Sequence, residues 1–194
     1  MRRHRRWSQR GQSLVEFTLI LPTLLMLVLG TAEMGIALNR SMSLVEATRE
    51  GARVGAALSN GAGIQGCASG SGSVDQQIVE SVQRVLESPG NGIKLSSVEF
   101  IHIFKANADG SEGLTNSWTV DTVLGSTICG VKLDFVQGTV NWNASTRGTT
   151  LPTDSIGVSI RYDYSLVTPL GALFKVFGGN QIKMTDATVM SLEP

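Results

Sequence analysis

The chain has 194 residues, of which 42% are hydrophobic and 16% are charged, and its formal net charge at pH 7 is zero. This length suits one domain with its own core, and 22 glycines with so few charges argue against a coiled coil, a highly basic nucleic-acid-binding protein and a charged disordered chain. The charge is unevenly distributed, because residues 1–11 carry five arginines and no acidic residue. The remaining chain has 11 basic and 16 acidic residues, a net charge of −5, so a basic leader precedes an acidic body.

An apolar segment follows the basic leader at residues 14–38. The 16 residues between Glu16 and Glu33 carry no charge and, as a helix, cover about 24 Å. Because the hydrocarbon core of a bilayer is about 30 Å thick, the whole segment would span it with Glu16 near one boundary and Glu33 near the other. The arginines before the segment predict an amino terminus in the cytoplasm and the rest of the chain outside. We therefore predict a single-pass anchor in the cell membrane.

Three interpretations of this segment remain open from its composition. A cleaved secretory signal has similar basic and apolar regions, but no small-x-small cleavage motif follows this apolar run directly, and the run is longer than usual. A plain signal anchor is the simplest alternative. Neither gives a role to Gly11 or Glu16, although a carboxylate inside an apolar segment costs about 2.5–3.5 kcal/mol at a helix centre and less near an interface. The third interpretation is a processed leader followed by an assembly helix.

The motif GQSLVEF at residues 11–17 has the pattern of a type IV prepilin processing site, in which a basic leader ends in Gly and the fifth residue of the mature chain is Glu. With the apolar run TLILPTLLMLVLGTAEMG after it and EATREGARVGA at residues 46–56, it resembles the TadE-like family of minor pilin-like proteins of tight-adherence pilus systems. The resemblance is dense over residues 10–57 and weaker in VSIRYDYSLVTPL and ATVMSLEP near the C-terminal end.

The resemblance implies a processing event and an assembly contact. A prepilin peptidase in the membrane would cut between Gly11 and Gln12 and release the leader. The new α-amine, with a reference pKa of about 7.7–8.0, would head an apolar helix. Glu16 would pair with such an amine, commonly on a neighbouring subunit, and Phe17 would share this assembly contact. Gln12 departs from ordinary pilins, whose mature chains begin with Phe or Met. The implied partners are the membrane, the prepilin peptidase, other pilin-like subunits and the pilus assembly platform.

Pro22 lies inside the predicted membrane helix and removes its hydrogen bond to the carbonyl of Thr18. Membrane helices tolerate this, because neighbours or local adjustment satisfy the freed carbonyl. The proline either softens the helix for extraction from the bilayer or introduces a kink without functional consequence.

We predict that the helix continues out of the membrane to about Leu58, over about 45 residues, because no proline interrupts residues 39–58. Charges spaced three or four apart predict one solvated face: Arg40, Glu46, Arg49, Glu50 and Arg53. Small residues predict a narrow stripe on the opposite side: Val45, Thr48, Ala52, Gly55 and Ala56. Gly51 and Gly55 have the spacing G-x-x-x-G, which permits close contact, and we expect it to serve packing on the protein's own sheet.

The rest of the chain is predicted to form a domain of helix and strands. Residues 59–73 are rich in Gly and Ser, typical of a flexible connector. A capping-box-like pattern at Ser73 and helical spacing from Val74 predict a second helix to about Ser88. Apolar residues with period two then predict strands near residues 98–103, 118–120, 136–142, 156–164 and 184–189.

The predicted fold class is therefore α+β: a long N-terminal transmembrane helix that continues into an extracellular domain with an antiparallel sheet of four to five strands and one further helix. The predicted organisation is a leader at 1–11, the helix at 12–58, the connector at 59–73 and the extracytoplasmic domain at 74–194.

The two cysteines are Cys67 in the connector and Cys129, 62 residues later. In a domain exported to an oxidising compartment, an even count favours one disulfide, which would contribute roughly 4 kcal/mol on the chain-entropy model. Free thiols are the alternative. The chain has no C-x-x-C motif, so neither a redox motif nor a metal site is predicted.

Signatures of catalysis are missing from the sequence. His102 is the only histidine after the leader and lies in the apolar run FIHIF, where a core or edge residue is expected. The sequence contains no nucleophile elbow, Walker loop or zinc-protease motif. We therefore expect no enzyme, cofactor, nucleic acid or small-molecule substrate.

Two function classes stay open from the sequence. The favoured one is a TadE-like minor pilin or pseudopilin that helps initiate or assemble an adhesive or secretion filament. The other is a signal-anchored extracellular binding or sensing module that never enters a filament.

Overall fold

The computed structural model describes residues 9–58, 74–121, 123, 127–128, 131–148, 150, 152–176, 179 and 181–192. The helices are α1 (Gln9–Leu58), α2 (Val74–Leu86) and α3 (Leu170–Val176). The strands are β1 (Val98–Ala106), β2 (Glu112–Val120), β3 (Thr127–Ile128), β4 (Val131–Lys132), β5 (Phe135–Val140), β6 (Ser155–Ser165) and β7 (Gln181–Ser191). Single 3-10 turns lie at Leu95–Ser97 and Ala144–Thr146. The predicted α+β class is confirmed, and α3 and the small antiparallel pair β3–β4 are additions that were not predicted from the sequence.

The chain divides into two compact units. One consists of Met1–Ala37 with Ser165–Gln181, and the other consists of Leu38–Tyr164 with Ile182–Pro194. The first unit therefore combines the apolar part of α1 with α3, and the second holds the five-stranded sheet.

Helix α1 is continuous over 50 residues and ends at Leu58, as predicted. Pro22 lies inside it, so the loss of one backbone hydrogen bond does not break the helix. By length and composition this helix could cross a membrane, and none of its most apolar 18-residue window is buried. The apolar segment from which the anchor was predicted therefore lies on a single uninterrupted helix, with most of its side chains exposed.

The second unit contains a five-stranded sheet in the order β5-β2-β1-β6-β7. β1 pairs antiparallel with both β2 and β6, and β2 pairs antiparallel with β5. The register sets Ile101 opposite both Trp118 and Ile160, and Ile103 opposite Val158. Alternate residues of these strands are therefore buried on one face, which is the periodicity expected of a sheet with one covered side.

Helix α2 covers part of that face through residues at helical spacing. Val74, Ile78, Val82 and Leu86 are all at most 3% exposed. The helix ends two residues earlier than predicted, and the side-chain amide of Asn91 donates to the carbonyl oxygen of Val85 at 2.6 Å in its last turn. This bond satisfies one of the carbonyls that a helix end leaves without an internal partner.

The glycine pair of α1 packs on α2 and the sheet, as predicted. A Cβ atom on Gly51 would lie 2.7 Å from Cγ2 of Val82, and one on Gly55 would lie 2.8 Å from Cδ1 of Ile156. Real Cβ atoms do not approach other carbons so closely, so these positions require glycine for this helix to sit where it does. The small-residue stripe beside them is buried too, apart from half-buried Val45.

Arg40 does not belong to the predicted solvated face. Its side chain is half-buried: Nη1 donates to the phenol oxygen of Tyr162 at 3.1 Å, and Cζ lies 5.0 Å from the ring centre of Tyr164. Arg49 and Arg53 are exposed, as expected for a solvated face. The prediction was wrong for Arg40 because helical spacing cannot reveal the tyrosines that β6 brings against it.

Candidate membrane anchor and assembly segment

The predicted processing site lies in the first turns of α1. The helix begins at Gln9, so the bond between Gly11 and Gln12 is inside helical backbone. A peptidase binds an extended substrate, and the first turn of a helix frays easily because it lacks internal hydrogen bonds. Gly11 lowers the cost of unwinding further, by about 1 kcal/mol relative to alanine. The backbone here is thus compatible with local opening at the predicted cut.

Glu16 lies one helical turn beyond Gln12. The amide Nε2 of Gln12 donates to Oε1 of Glu16 at 3.1 Å, and both side chains are exposed. The predicted first residue of the mature chain and the predicted assembly carboxylate therefore share one helix face. Phe17 is next to this face and is 60% exposed.

An apolar surface extends along α1 on both sides of Glu16. Thirteen large apolar side chains of the helix are at least half exposed: Leu14, Val15, Phe17, Leu19, Ile20, Leu24, Leu25, Met26, Leu27, Val28, Met34, Leu38 and Met42. Monomeric soluble proteins rarely expose so much contiguous apolar surface. This surface suits lipid or the corresponding helices of other subunits, and Pro22 lies within it.

Glu33 is buried, in contrast to Glu16. It is 6% exposed, and its two carboxylate oxygens accept hydrogen bonds from the backbone N–H groups of Val167 at 3.0 Å and Thr168 at 2.8 Å. These donors precede α3, and all these residues belong to the same compact unit. From the sequence, Glu33 was expected only near a membrane boundary. A carboxylate in an apolar run does signal a partner, but the donors lie more than 130 positions later.

A buried polar cluster inside the second unit holds α2 against the sheet and the loop after β5. Nη2 of Arg147 binds Oδ1 of Asp75, and Nδ2 of Asn116 donates to Oδ2 of Asp75 at 2.7 Å. The guanidinium of Arg147 also lies over the ring of Trp142, with Cζ 4.5 Å from its centre. The side chains of Arg147 and Asp75 are 0% and 5% exposed. A fully enclosed pair of this kind is a structural contact that fixes one arrangement of the loop.

His102 is the only described histidine, and its contacts differ from those of a catalytic base. Its Nδ1 lies 3.0 Å from Oε2 of Glu112, and the hydroxyl of Ser159 donates to Oε1 of the same carboxylate. A nucleophile–base pair requires the hydroxyl to donate to the imidazole. Here the hydroxyl proton is committed to Glu112, while the imidazole stacks on Phe100 with ring centres 3.8 Å apart.

An open groove of about 340 Å³ lies between α1 and α2. Six polar or charged residues and one valine line it: Glu46, Glu50, Ser81, Arg84, Val85, Ser88 and Asn91. A hydrogen bond from Arg53 holds the pKa of Glu50 below its usual value, and Arg84 pairs with Glu80 on its own helix. These ion pairs engage two of the three charged side chains that line the groove, Glu50 and Arg84. Among the described residues, no group of three or more His, Cys, Asp or Glu side chains could hold a metal ion.

Cys67 and Cys129 lie outside the described residues, as do residues 1–8, the connector 59–73 and the predicted cap Ser73. The disulfide and the flexible connector therefore stay predictions. So does the role of each processing and assembly residue.

Comparison with known proteins addresses the segment that carries the predicted site. Residues 11–53 match the family model described as TadE-like protein. No curated protein and no solved structure matches the chain. The match begins at Gly11, includes Gln12, Glu16 and Phe17, and ends within the part of α1 that packs on the sheet. The resemblance predicted from GQSLVEF and the apolar run is confirmed over residues 11–53, where the chain is similar to the TadE-like family.

Proposed function

We propose that this protein is a minor pilin or pseudopilin that is processed at Gly11–Gln12 and helps to initiate or assemble an adhesive or secretion filament. The observation that carries the proposal is the coincidence of the TadE-like match with a continuous, exposed apolar helix whose first turns contain Gly11, Gln12 and Glu16. We propose a structural rather than a catalytic role, anchored with the amino terminus in the cytoplasm and the sheet-containing unit outside.

In the proposed mechanism, cleavage changes both the charge and the chemistry of the helix end. Removing residues 1–11 discards five arginines and leaves side chains with a net charge of −5. It also creates an α-amine at Gln12, on the helix face that already presents Glu16. In the bilayer an unpaired carboxylate or ammonium is costly, so a subunit that supplies the opposite charge in register removes a penalty of several kcal/mol. This pairing of opposite charges fixes how neighbouring subunits align along their helices.

In this proposal, most of the favourable free energy of association comes from burying the apolar surface of α1. Side chains such as Phe17, Leu24 and Leu27 are exposed and would pack against the helices of other subunits once the chain leaves the lipid. After Met42, α1 exposes no large apolar side chain. Gly51 and Gly55 hold that part of the helix on α2 and the protein's own sheet. Assembly would therefore use residues 12–42 and leave the packing of the sheet intact.

The first test compares Gly11→Ala with Gly35→Ala in a strain that assembles the filament. A Cβ atom at either glycine meets nothing within 4 Å, so both changes fit the helix equally well. We expect Gly11→Ala to keep the leader and Gly35→Ala to lose it, measured as the intact mass of the chain from the membrane fraction. Leader loss in Gly11→Ala would contradict the proposed processing site.

The second test separates filament entry from plain anchoring. Glu16→Gln and Glu46→Gln each neutralise one exposed carboxylate of α1. We expect both variants to be processed, and only Glu16→Gln to be depleted from sheared surface filaments. If the unmodified protein is never recovered with filaments and keeps Met1, the signal-anchored binding module is the better account.

A further inference from the structure

We propose that residues 166–176, the turn before α3 together with α3 itself, form a second membrane contact that lies in the interfacial layer of the bilayer and is held against α1 by Glu33. The contact is an addition to the spanning helix. It rests on the proposed membrane anchoring of α1 but on neither leader cleavage nor filament assembly.

The first observation is the attachment of this segment to α1. Both carboxylate oxygens of Glu33 are occupied by consecutive backbone N–H groups, at 3.0 Å from Val167 and 2.8 Å from Thr168. Hydrogen bonds to a charged acceptor are among the stronger ones in proteins. With Glu33 only 6% exposed, the turn is fixed at this level of the helix.

The second observation is where that level lies along the apolar helix. Glu33 is 17 residues beyond Glu16, which corresponds to about 26 Å along a helix. The hydrocarbon core is about 30 Å thick, so a helix with Glu16 at the inner boundary has Glu33 at the outer one. The backbone groups of Val167 and Thr168 that bind Glu33 are then at the outer boundary as well.

The third observation is the apolar composition of the attached segment. Its sequence is LVTPLGALFKV, in which seven of the eleven residues are Leu, Val, Ala or Phe and the only charge is Lys175. Val167 is 57% exposed, and Ala172 and Lys175 are exposed as well. Apolar side chains beside a lysine suit the boundary between acyl chains and anionic head groups.

The backbone of the turn is also suited to this environment, because irregular structure at a membrane must satisfy its own polar groups. The N–H of Gly171 donates to the carbonyl of Thr168 at 2.9 Å, and that of Ala172 donates to the carbonyl of Pro169 at 3.1 Å. A Cβ atom on Gly171 would come within 3.0 Å of the carbonyl oxygen of Leu166, so glycine permits the tight turn. With Val167 and Thr168 bound by Glu33, the turn presents few free donors to lipid.

A photocrosslinking experiment tests the proposal on the full chain. A photoreactive benzoylphenylalanine is placed at Val167 or, as the reference, at Leu25, which is 50% exposed in the middle of the apolar helix. The protein is reconstituted in vesicles of phosphatidylcholine with phosphatidylglycerol and illuminated, and adducts are identified by mass spectrometry. We expect lipid adducts at both positions. Combining the Val167 probe with Glu33→Ala should reduce its lipid adducts roughly threefold or more, because two hydrogen bonds to the turn are lost, while the Leu25 adducts persist.

The outcomes distinguish the possible failures. Lipid adducts at Leu25 with only water-quenched probe at Val167 would overturn the second membrane contact and leave the anchor intact. Adducts from the Val167 probe to another copy of the chain would assign the surface to subunit packing instead, and would also overturn it. Absence of lipid adducts at Leu25 would remove the spanning helix itself and with it both proposals.

Discussion

The guanidinium of Arg40 joins α1 to the sheet through Tyr162, with Nη1 donating to the phenol oxygen at 3.1 Å, while Tyr164 lies beneath Cζ at 5.0 Å. These contacts begin just inside the sheet-containing unit, where α1 passes from its exposed apolar part to its packed part. They continue along the helix at Thr48, whose hydroxyl donates to Asp186 of β7. Together they hold residues 39–58 of α1 on the sheet, independently of any membrane.

Replacing Arg40 should therefore weaken the sheet-containing unit. We expect Arg40→Ala to lower the free energy of unfolding by about 1–2 kcal/mol, because it removes both a hydrogen bond and a cation–π contact. The measurement is urea denaturation of the full chain in detergent, followed by the fluorescence of buried Trp118 and Trp142. Arg49→Ala is the control, since Arg49 is exposed on the same helix and its removal should change the free energy by less than about 0.5 kcal/mol.

The glycine pair of α1 makes a second prediction. Leucine at Gly51 would press on Val82 and Val158 in a closed core, and overpacking of this kind costs about 1–3 kcal/mol or more. The control is Gly35→Leu, where a Cβ atom meets nothing within 4 Å. Equal urea midpoints for the two variants would contradict the close helix contact.

The buried pair of Asp75 and Arg147 should be far more sensitive than a similar pair at the surface. Arg147→Ala leaves the carboxylate of Asp75 buried with Asn116 as its remaining partner among the described residues, and breaking such a pair costs about 3–5 kcal/mol. Arg84→Ala breaks the Glu80–Arg84 pair, in which the arginine side chain is 71% exposed, and should cost less than about 1 kcal/mol. The difference between the two variants in urea denaturation is the quantity to measure. Similar losses of unfolding free energy in the two variants would show that burial of Arg147 does not increase the cost of breaking its ion pair.

Asp154 gives a prediction for the dependence of stability on pH. Burial acts to raise the pKa of its carboxyl, but Lys105 at 2.6 Å and the backbone N–H of Gly148 at 2.8 Å outweigh it, and the pKa lies below its usual value. A lowered pKa in the folded state means that ionised Asp154 stabilises the fold above the unfolded value of about 3.9, and that this contribution is lost as the pH falls through the folded value.

Asp154→Asn should therefore be less stable than the unmodified protein at pH 7, and the two should converge as the pH falls below about 4. Urea denaturation at a series of pH values measures this. A stability difference that stays constant down to pH 3 would assign the effect of the substitution to lost packing rather than to the charge of Asp154.

The elements with local periodicity were predictable from the sequence. The long helix to Leu58, the packing of Gly51 and Gly55 and the second helix from Val74 follow from residues three or four positions apart. The buried β6 followed in the same way from its alternation of apolar residues. In each case, the residues that define the element are neighbours in sequence, so no knowledge of the tertiary fold is required.

The contacts that depend on distant residues were not predictable. Glu33 accepts hydrogen bonds from Val167 and Thr168. Arg40 contacts tyrosines of β6, and Asp75 pairs with Arg147 in a loop 72 positions away. Helix α3 was not predicted either, because seven residues are too few to show a helical periodicity of apolar residues. The chemistry of the candidate site was visible in GQSLVEF. The structure adds that the predicted cleavage bond between Gly11 and Gln12 is helical. It also shows that Glu33 is buried and bound to a distant turn, whereas Glu16 is exposed and its carboxylate accepts a hydrogen bond only from nearby Gln12 among the described residues.

The identity of the first residue of the mature protein decides whether the leader is removed at Gly11–Gln12. The chain should be recovered from the membrane and filament fractions of cells that carry the prepilin peptidase, and its amino-terminal peptide sequenced by mass spectrometry. We expect the chain to begin at Gln12, with the five leader arginines removed. A chain that retains Met1 through Gly11 in both fractions would contradict it.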